Sequence, residues 1–325
     1  MNKQPEGLLH AKLLDGRGGA KDLAWSEVTS WHPNQGCLWL HLDFEDSDTQ
    51  AWIERGSGLN DIAADGLLTA ETRPRTLSRG DHLLMSLRGI DPNPGSEPDD
   101  MVSVRIWTDG QRLISTRRRA LQATRDLQNS LQEGHGPRDA ATLLVAWVNG
   151  VTERIGATVD AFEDQIDDLD ERILTASATD LRQEIGHLRK QTIVVRRYLA
   201  PQREAMNRLF SEPVSWLDEL NRLRLREVTD RLIRHIEDID AVRERAAVAR
   251  DELEGRIAEQ LNARSYVFTV VATIFLPLGF FTGLMGINVG GMPGVNNEAG
   301  FWIVAGACLG ITVTLGTLFR WRKWM

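Results

Sequence analysis

Cysteine, basic charge and long apolar runs are scarce in most of this 325-residue chain. Its two cysteines, Cys37 and Cys308, lie far apart, and Cys308 sits inside an apolar segment, which argues against a structural disulfide or a cysteine-based zinc site. The formal charge of −8 argues against nucleic acid as a partner, because such proteins need a basic surface. The first thirty residues hold no unbroken apolar stretch, so we expect no signal peptide.

Signs of an enzyme are also missing from the sequence. There is no phosphate-binding glycine loop, no nucleophile elbow and no metalloprotease histidine pair. The seven histidines lack the spacing and the nearby cysteines of a typical zinc site. His235 with Asp238, or His187 with Glu184, could still pair on one helix turn. We therefore expect neither enzymatic activity nor a bound cofactor.

Short β-rich runs separated by turn residues fill the first part of the chain. They cover residues 8–14, 37–44, 82–90, 101–108 and 111–116. A helix is predicted over residues 46–55, and the hydrophilic stretch 91–100 is typical of a loop. The three arginines at 117–119 are interpreted as the solvated start of a helix. These patterns predict a cytosolic α/β domain over residues 1–135.

Long helical periodicity replaces the strand signals over residues 136–262. Apolar residues recur every three or four positions from Val148 to Ile173, and a second helix is predicted over residues 180–209. A third helix carries a near-continuous apolar stripe from Leu225 to Ile257. The stripe fits packing inside one chain as well as self-association around an axis, and the sequence does not choose between them.

Two uncharged apolar segments occupy residues 263–325. The first covers 266–287 and the second 301–319, with an external loop over 288–300, and each has the length of about 20 residues that a bilayer core requires. The only charged residue of the loop is Glu298. The pair of segments is flanked by basic residues, namely Arg264, Arg320, Arg322 and Lys323. The positive-inside rule then places both termini in the cytosol. We expect a multi-pass protein of the bacterial inner membrane, in contact with its lipid.

Small and polar residues share one face of the first segment when it is wound as a helix. The face consists of Asn262, Ser265, Thr269, Ala272, Leu276, Gly279 and Gly283. It suits either a close helix contact or a pore wall. In a ring of copies its hydroxyls, amides and carbonyls would meet an ion, with Leu276 as a narrow apolar collar. Since neither segment holds a carboxylate, a transported cation would keep much of its water.

The tripeptide Gly286-Ile287-Asn288 ends the first segment and precedes the external loop. It resembles the Gly-Met-Asn signature of the CorA superfamily of divalent metal transporters. The isoleucine in place of methionine resembles the ZntB-type zinc transporter branch of that superfamily. The resemblance spans nearly the whole chain. It implies an α+β membrane protein with a cytosolic α/β domain, a long helical stalk and two C-terminal transmembrane helices.

The resemblance further implies a funnel-shaped homopentamer with five first segments lining the pore. Gly286, Ile287 and Asn288 would form an external selectivity ring for a hydrated cation. The transported substrate would be zinc, with cadmium, nickel or cobalt as related ions. Proton-coupled uptake and zinc efflux both stay open, as does a magnesium or cobalt channel of the same architecture. A membrane-anchored scaffold is the alternative from a different functional class. That function leaves the small polar face unexplained.

Acidic residues form two rows on one predicted helix. They are Glu163, Asp164, Asp167, Asp168, Asp170 and Glu171. Such rows attract cations and could concentrate metal near a pore, although a solvated helix face has the same pattern. Oxygen ligands alone suit magnesium or calcium better than zinc. We treat the rows as a recruitment hypothesis.

Overall fold

The computed structural model describes residues 4–70, 73–90, 100–173, 178–287 and 297–321. The chain divides into two compact units, Met1–Arg250 and Asp251–Met325. The first unit contains a β-sheet with helices on both faces, and the second contains two apolar helical segments. The division into residues 1–135, 136–262 and 263–325 follows composition rather than contacts and stays a prediction.

The sheet and the helices are formed by the following segments. The strands are β1 (Leu8–Leu14), β2 (Ala20–Asp22), β3 (Leu38–Asp43), β4 (Arg75–Arg79), β5 (His82–Ile90), β6 (Met101–Thr108) and β7 (Arg112–Arg117). The helices are α1 (Trp25–Thr29), α2 (Ser47–Arg55), α3 (Asp61–Leu68), α4 (Gln122–Gln132), α5 (Ala140–Arg172), α6 (Ala178–Ser211), α7 (Glu219–Met285) and α8 (Gly300–Trp321). The strand order is β2-β1-β3-β7-β6-β5-β4, in which β3 and β7 pair in parallel.

Helices cover both faces of this sheet. Side chains alternate along β3, so Leu38, Leu40 and Leu42 point to one face, where they join a core with Ile53 of α2 and Leu67 of α3. The opposite face is covered by α5 and α6, which contact β5 and β4. The strands therefore need apolar or hydrogen-bonded side chains on both faces, and β6 is buried along its whole length.

The long helices bury the apolar stripes that the sequence predicts. α5 starts where the Asp139 side chain accepts a hydrogen bond from the Thr142 amide at 2.7 Å, a typical helix cap. On α7 the predicted stripe is buried within the single chain, and Leu232 and Ile239 are 0% exposed. The sequence left open what covers this stripe. From Leu225 to Ala249 it is buried by packing within the chain.

Short elements and one basic run differ from the sequence predictions. The patterns miss β2, α1, α3, β4 and α4, and the helix predicted over residues 180–209 is two residues longer at each end. The interpretation of residues 117–119 as a helix start is wrong. Arg117 is the last residue of β7, because its pairing with Asp43 extends the strand, and α4 begins only at Gln122. Most of the predicted loop at 91–100 lies outside the described residues.

Two neighbouring histidines of the sheet, His10 half-buried and His41 buried, lie on the side that α5 covers in the first unit. His10 on β1 and His41 on β3 are cross-strand partners, and their ring centroids are 5.0 Å apart. Trp147 of α5 lies 5.9 Å from the His41 ring, and the His41 Nδ1 atom is 2.8 Å from the Ser115 hydroxyl. Burial, helped by nearby Lys12, lowers the pKa of His10 to about 3. Burial also holds the pKa of His41 well below its ordinary value.

These lowered pKa values predict that acid destabilises the first unit. The unfolded histidines take up protons below pH of about 6.5, whereas folded His10 does so only near pH 3. Between these values the free energy of unfolding should fall as pH falls, by up to about 1.4 kcal/mol per pH unit for each histidine. Thermal unfolding midpoints of the protein in detergent, measured from about pH 7.5 to about pH 4.5, test this.

A His10→Gln variant should lose stability less steeply with acid than the wild type, because one of the two titrating groups is gone. His32→Gln, at an exposed histidine, is the matched control and should keep the wild-type slope. Parallel loss of stability in all three proteins would contradict the assignment.

Candidate functional site

The predicted small polar face lies on the last part of α7 and is exposed in the single chain. All seven of its residues are solvent-accessible, and Leu276 is 77% exposed. A Cβ atom added at Gly279 or Gly283 would meet no described atom within 4 Å. These glycines are therefore not explained by close packing within the described part of the chain. The face is therefore available for contacts with atoms outside the described part of this chain.

The side of α7 that turns away from this face is partly buried. Val270 is 7% exposed, and Ile274, Leu278 and Phe281 are half-buried. At 3.6 residues per turn these positions lie roughly opposite the small polar face. α8 has a matching half-buried stripe that includes Val304, Ile311 and Leu315. Among the described residues of the second unit, each helix is thus partly buried along one side only.

Hydroxyl groups on and beside the face are bonded within the helix. The Thr269 hydroxyl donates to the Ser265 carbonyl at 2.8 Å, and the Thr273 hydroxyl donates to the Thr269 carbonyl at 2.7 Å. Each hydroxyl oxygen keeps lone pairs that can accept a hydrogen bond from water. These threonines can therefore contact the hydration shell of a cation while their own hydroxyl donors stay bonded within the helix.

The signature tripeptide follows the end of α7. The Gly286 amide donates to the Thr282 carbonyl at 2.9 Å and to the Gly283 carbonyl at 3.1 Å, which closes the last turn. Ile287 follows and is 47% exposed. Asn288 lies outside the described residues, as does the external loop through residue 296. The selectivity ring that the resemblance implies stays a prediction.

The acidic rows of α5 pair with two arginines, one on α7 and one at the end of α5 itself. Arg245 of α7 lies 2.7 Å from Asp167 and 2.5 Å from Asp170. Arg172, the last residue of α5, binds Asp168 at 2.8 Å and also reaches Glu184 of α6. Sequence reasoning missed these pairs because Arg245 is distant along the chain and Arg172 lies just past the rows. Three of the acidic residues therefore have ion-pair partners in the described part of the chain.

The remaining acidic residues and the histidine pairs add no formed metal site. The pKa of Glu163 is raised, first by burial and then by Asp238 and Asp160. His235 Nδ1 is 3.9 Å from Asp238, whereas Glu184 bonds Arg172. Within the described ranges, no group of three or more His, Cys, Asp or Glu side chains is arranged to hold a metal ion. Recruitment of cations by the rows stays a hypothesis.

Comparisons with known proteins agree with this architecture. Residues 34–322 match the family model of the CorA-like Mg2+ transporter protein. The chain belongs to the CorA-like family. α7 and α8 are both long and apolar enough to cross a membrane, as in a membrane protein of this family. The resemblance drawn from the Gly-Ile-Asn tripeptide is thereby confirmed at the level of the family.

Individual relatives of this CorA-like chain cover nearly its whole length. It is 36% identical over 326 residues to the divalent cation transporter CmaX of Pseudomonas aeruginosa, covering 98% of this chain and 97% of that protein. It is 35% identical over 320 residues to the zinc transport protein ZntB of Yersinia enterocolitica, covering 98% and 96%.

Solved structures give the same result for the fold. The full-length CmaX structure has a TM-score of 0.86 at 34% identity and covers 100% of both chains. The CorA magnesium transporter of Methanocaldococcus jannaschii has a TM-score of 0.83 at 19% identity, covering 98% of this chain and 99% of that one. The predicted fold class, with an α/β domain, a long helix and two apolar C-terminal helices, is confirmed.

The ion pairs of Arg245 provide a test of cation recruitment. Arg245→Gln should free Asp167 and Asp170, so added Mg2+ should raise the thermal unfolding midpoint more than it does in the wild type. Without Mg2+, the substitution should lower the free energy of unfolding by at most about 1 kcal/mol, since the ion pairs of Arg245 are largely exposed. Arg226→Gln, an exposed arginine on the same helix, is the control. An unchanged response to Mg2+ in Arg245→Gln would contradict recruitment by these rows.

Proposed function

We propose that this chain transports divalent cations across the bacterial inner membrane through a homo-oligomeric pore lined by the last part of α7. The observation that carries the proposal is the exposed small polar face, which lies opposite the half-buried side of the same helix. A membrane anchor needs no such face, because lipid contacts are satisfied by apolar side chains. CorA-like membership supports transport rather than enzymatic activity.

The chemistry of the face favours a hydrated cation. Residues 266–287 contain no carboxylate, so the protein supplies hydroxyl and carbonyl oxygens but no fixed negative charge. Removing the water shell of a small divalent ion is costly, and neutral oxygens alone compensate poorly. The ion would pass with much of its water, and a ring of Leu276 side chains would close the path by excluding water when narrow.

A closed ring of copies fits the arrangement of the two helices. One side of α7 is partly buried within the unit, and in a closed ring the opposite side would surround a common axis together with the same face of other copies. The family resemblance supports a homopentamer, with α8 outside α7. The basic residues Arg264, before the first span, and Arg320, at the end of the second, support a topology with both termini in the cytosol.

Zinc is the substrate we favour, with cadmium, nickel or cobalt as related ions. Support comes from Ile287 in the signature and from the zinc transport protein that is 35% identical. A magnesium or cobalt channel is the second candidate, since the family model describes a Mg2+ transporter. We favour proton-coupled uptake over efflux, and the experiment below measures whether proton movement accompanies zinc entry.

Flux measurements on proteoliposomes test the pore assignment. Zinc or magnesium is added outside vesicles that contain a metal-sensitive dye and a pH dye. Zinc flux should be abolished by Asn288→Ala, because the amide at the pore mouth is lost. Ala272→Leu should also reduce the flux strongly, because it places a large side chain on the small face of α7.

Val271→Leu is the matched control, since it enlarges the neighbouring residue away from that face and should conduct like the wild type. A pH change that accompanies zinc entry would support proton coupling. Magnesium flux without zinc flux would select the second candidate. Equal loss of flux in Ala272→Leu and Val271→Leu, or no flux of either ion in the wild type, would contradict the proposed pore.

A further inference from the structure

A small apolar pocket lies on the face of the sheet that packs against α2 and α3, beside the edge strand β4. Its volume is about 270 Å³, which is the space of about nine water molecules. All of its lining residues belong to the described ranges, and five of them are apolar, namely Ile62, Ala63, Leu77, Leu84 and Trp107. The pocket therefore favours an occupant with an apolar body.

The strand register forms the floor of this pocket. Leu77 of β4 pairs with Leu84 of β5, and Leu84 pairs with Trp107 of β6, so the three side chains form one row across the sheet. Leu84 and Trp107 belong to the core, whereas Leu77 is 38% exposed. His82 stacks on the Trp107 ring, with the ring centroids 5.5 Å apart. The floor therefore runs from the buried core to the protein surface.

Helix α3 forms one wall of the pocket. A Cβ atom added at Gly66 would lie 2.3 Å from a methyl carbon of Leu84, so α3 packs tightly on the sheet at that point. The first turn of α3, where the Asn60 side chain accepts a hydrogen bond from the Ala63 amide at 2.9 Å, borders the pocket instead. Ile62 of this turn is 61% exposed. Apolar surface therefore continues from the floor to the rim.

The opposite side of β4 is closed by α6 and the residue that follows it. The Thr76 hydroxyl donates to the Ala205 carbonyl at 2.7 Å, and the Ser78 hydroxyl donates to the Glu212 carboxylate. Thr76 is 1% exposed although it lies on an edge strand, so an added strand cannot reach its backbone. This edge is therefore unsuited to an extended peptide, and the accessible space is the pocket itself.

One arginine gives the rim of the pocket a positive charge. Arg79 lines the pocket at the end of β4, is exposed, and forms no ion pair with any described residue. The nearby carboxylate of Asp81 accepts hydrogen bonds from the Ser215 amide at 2.7 Å and from the Ser215 hydroxyl at 2.8 Å. Asp61, in the first turn of α3, does not line the pocket. A cation beside an apolar wall matches an anion that is attached to an apolar body.

We propose that this pocket binds a small apolar carboxylate, with its apolar body against Leu77 and Trp107 and its carboxylate on Arg79. A guanidinium group binds a carboxylate through two parallel hydrogen bonds, and the apolar surroundings strengthen them because little water competes. One aromatic ring with a short acidic arm is of the size that the pocket admits. The inference does not rest on the proposed ion path, because all the residues it uses belong to the first unit.

Ligand-observed fluorine NMR on the full-length protein in lipid nanodiscs tests the site. The probe is para-fluorophenylacetate, and empty nanodiscs measure its partition into lipid. Wild type should broaden the fluorine signal, and Arg79→Gln should weaken the affinity by about tenfold or more, because the charge-assisted contact is lost. The neutral amide of the same probe should bind wild type with a similarly reduced affinity.

Arg75→Gln is the matched control, because it removes an exposed arginine of the same strand that does not line the pocket, and it should leave the affinity unchanged. Ile62→Asp should weaken binding, because it adds a negative charge at the rim. The thermal unfolding midpoint of each variant without probe shows whether it is folded. Absence of binding to wild type, equal affinity for the acid and its amide, or equal affinity in wild type and folded Arg79→Gln would overturn the proposal.

Discussion

The backbone of a membrane-spanning segment must make its hydrogen bonds within the segment, because lipid offers none. The end of α7 and all of α8 meet this constraint as helices, and the threonine hydroxyls of α7 bond carbonyls one turn back. Pro277 is accommodated inside α7 without ending the helix. Once the backbone is satisfied in this way, side chains alone decide which surface meets lipid, the other helix or an ion.

The division of surfaces on α7 follows from that constraint. Residues near Val270 and Phe281 are covered, and the small polar residues on the opposite side are exposed. Glycine at positions 279 and 283 costs helix stability in return for space, and nothing described within the chain fills that space. On the proposed function, a ring of copies would use this space for the ion path. In the first unit the apolar stripe of α7 is already buried, so assembly does not need it.

Much of the fold could be predicted from the sequence, because periodicity reports burial on one side of an element. The strands β1, β5 and β6 agree with prediction at both ends. Short elements such as α3 and the polar edge strand β4 carry too few periodic positions to be detected. The apolar stripe of α7 was detected, but the pattern of one helix does not show which other elements pack against it.

Charged groups were harder to predict than apolar ones. The acidic rows were visible, yet Arg245, which pairs with two of their members, is at least 75 residues away in sequence. Residues 117–119 were noticed as a basic run but assigned to the wrong element. Pairing of opposite charges is set by topology, which sequence spacing alone does not reveal.

The central claim, that the small polar face of α7 surrounds an axis shared by several copies, is most directly tested by disulfide cross-linking in membranes. Leu276→Cys is introduced into a background with Cys37→Ala and Cys308→Ala, and Val271→Cys serves as the comparison on another exposed side of the same helix. The account predicts that mild oxidation links subunits through position 276 and not through position 271. Cross-linking at 271 with none at 276 would contradict it.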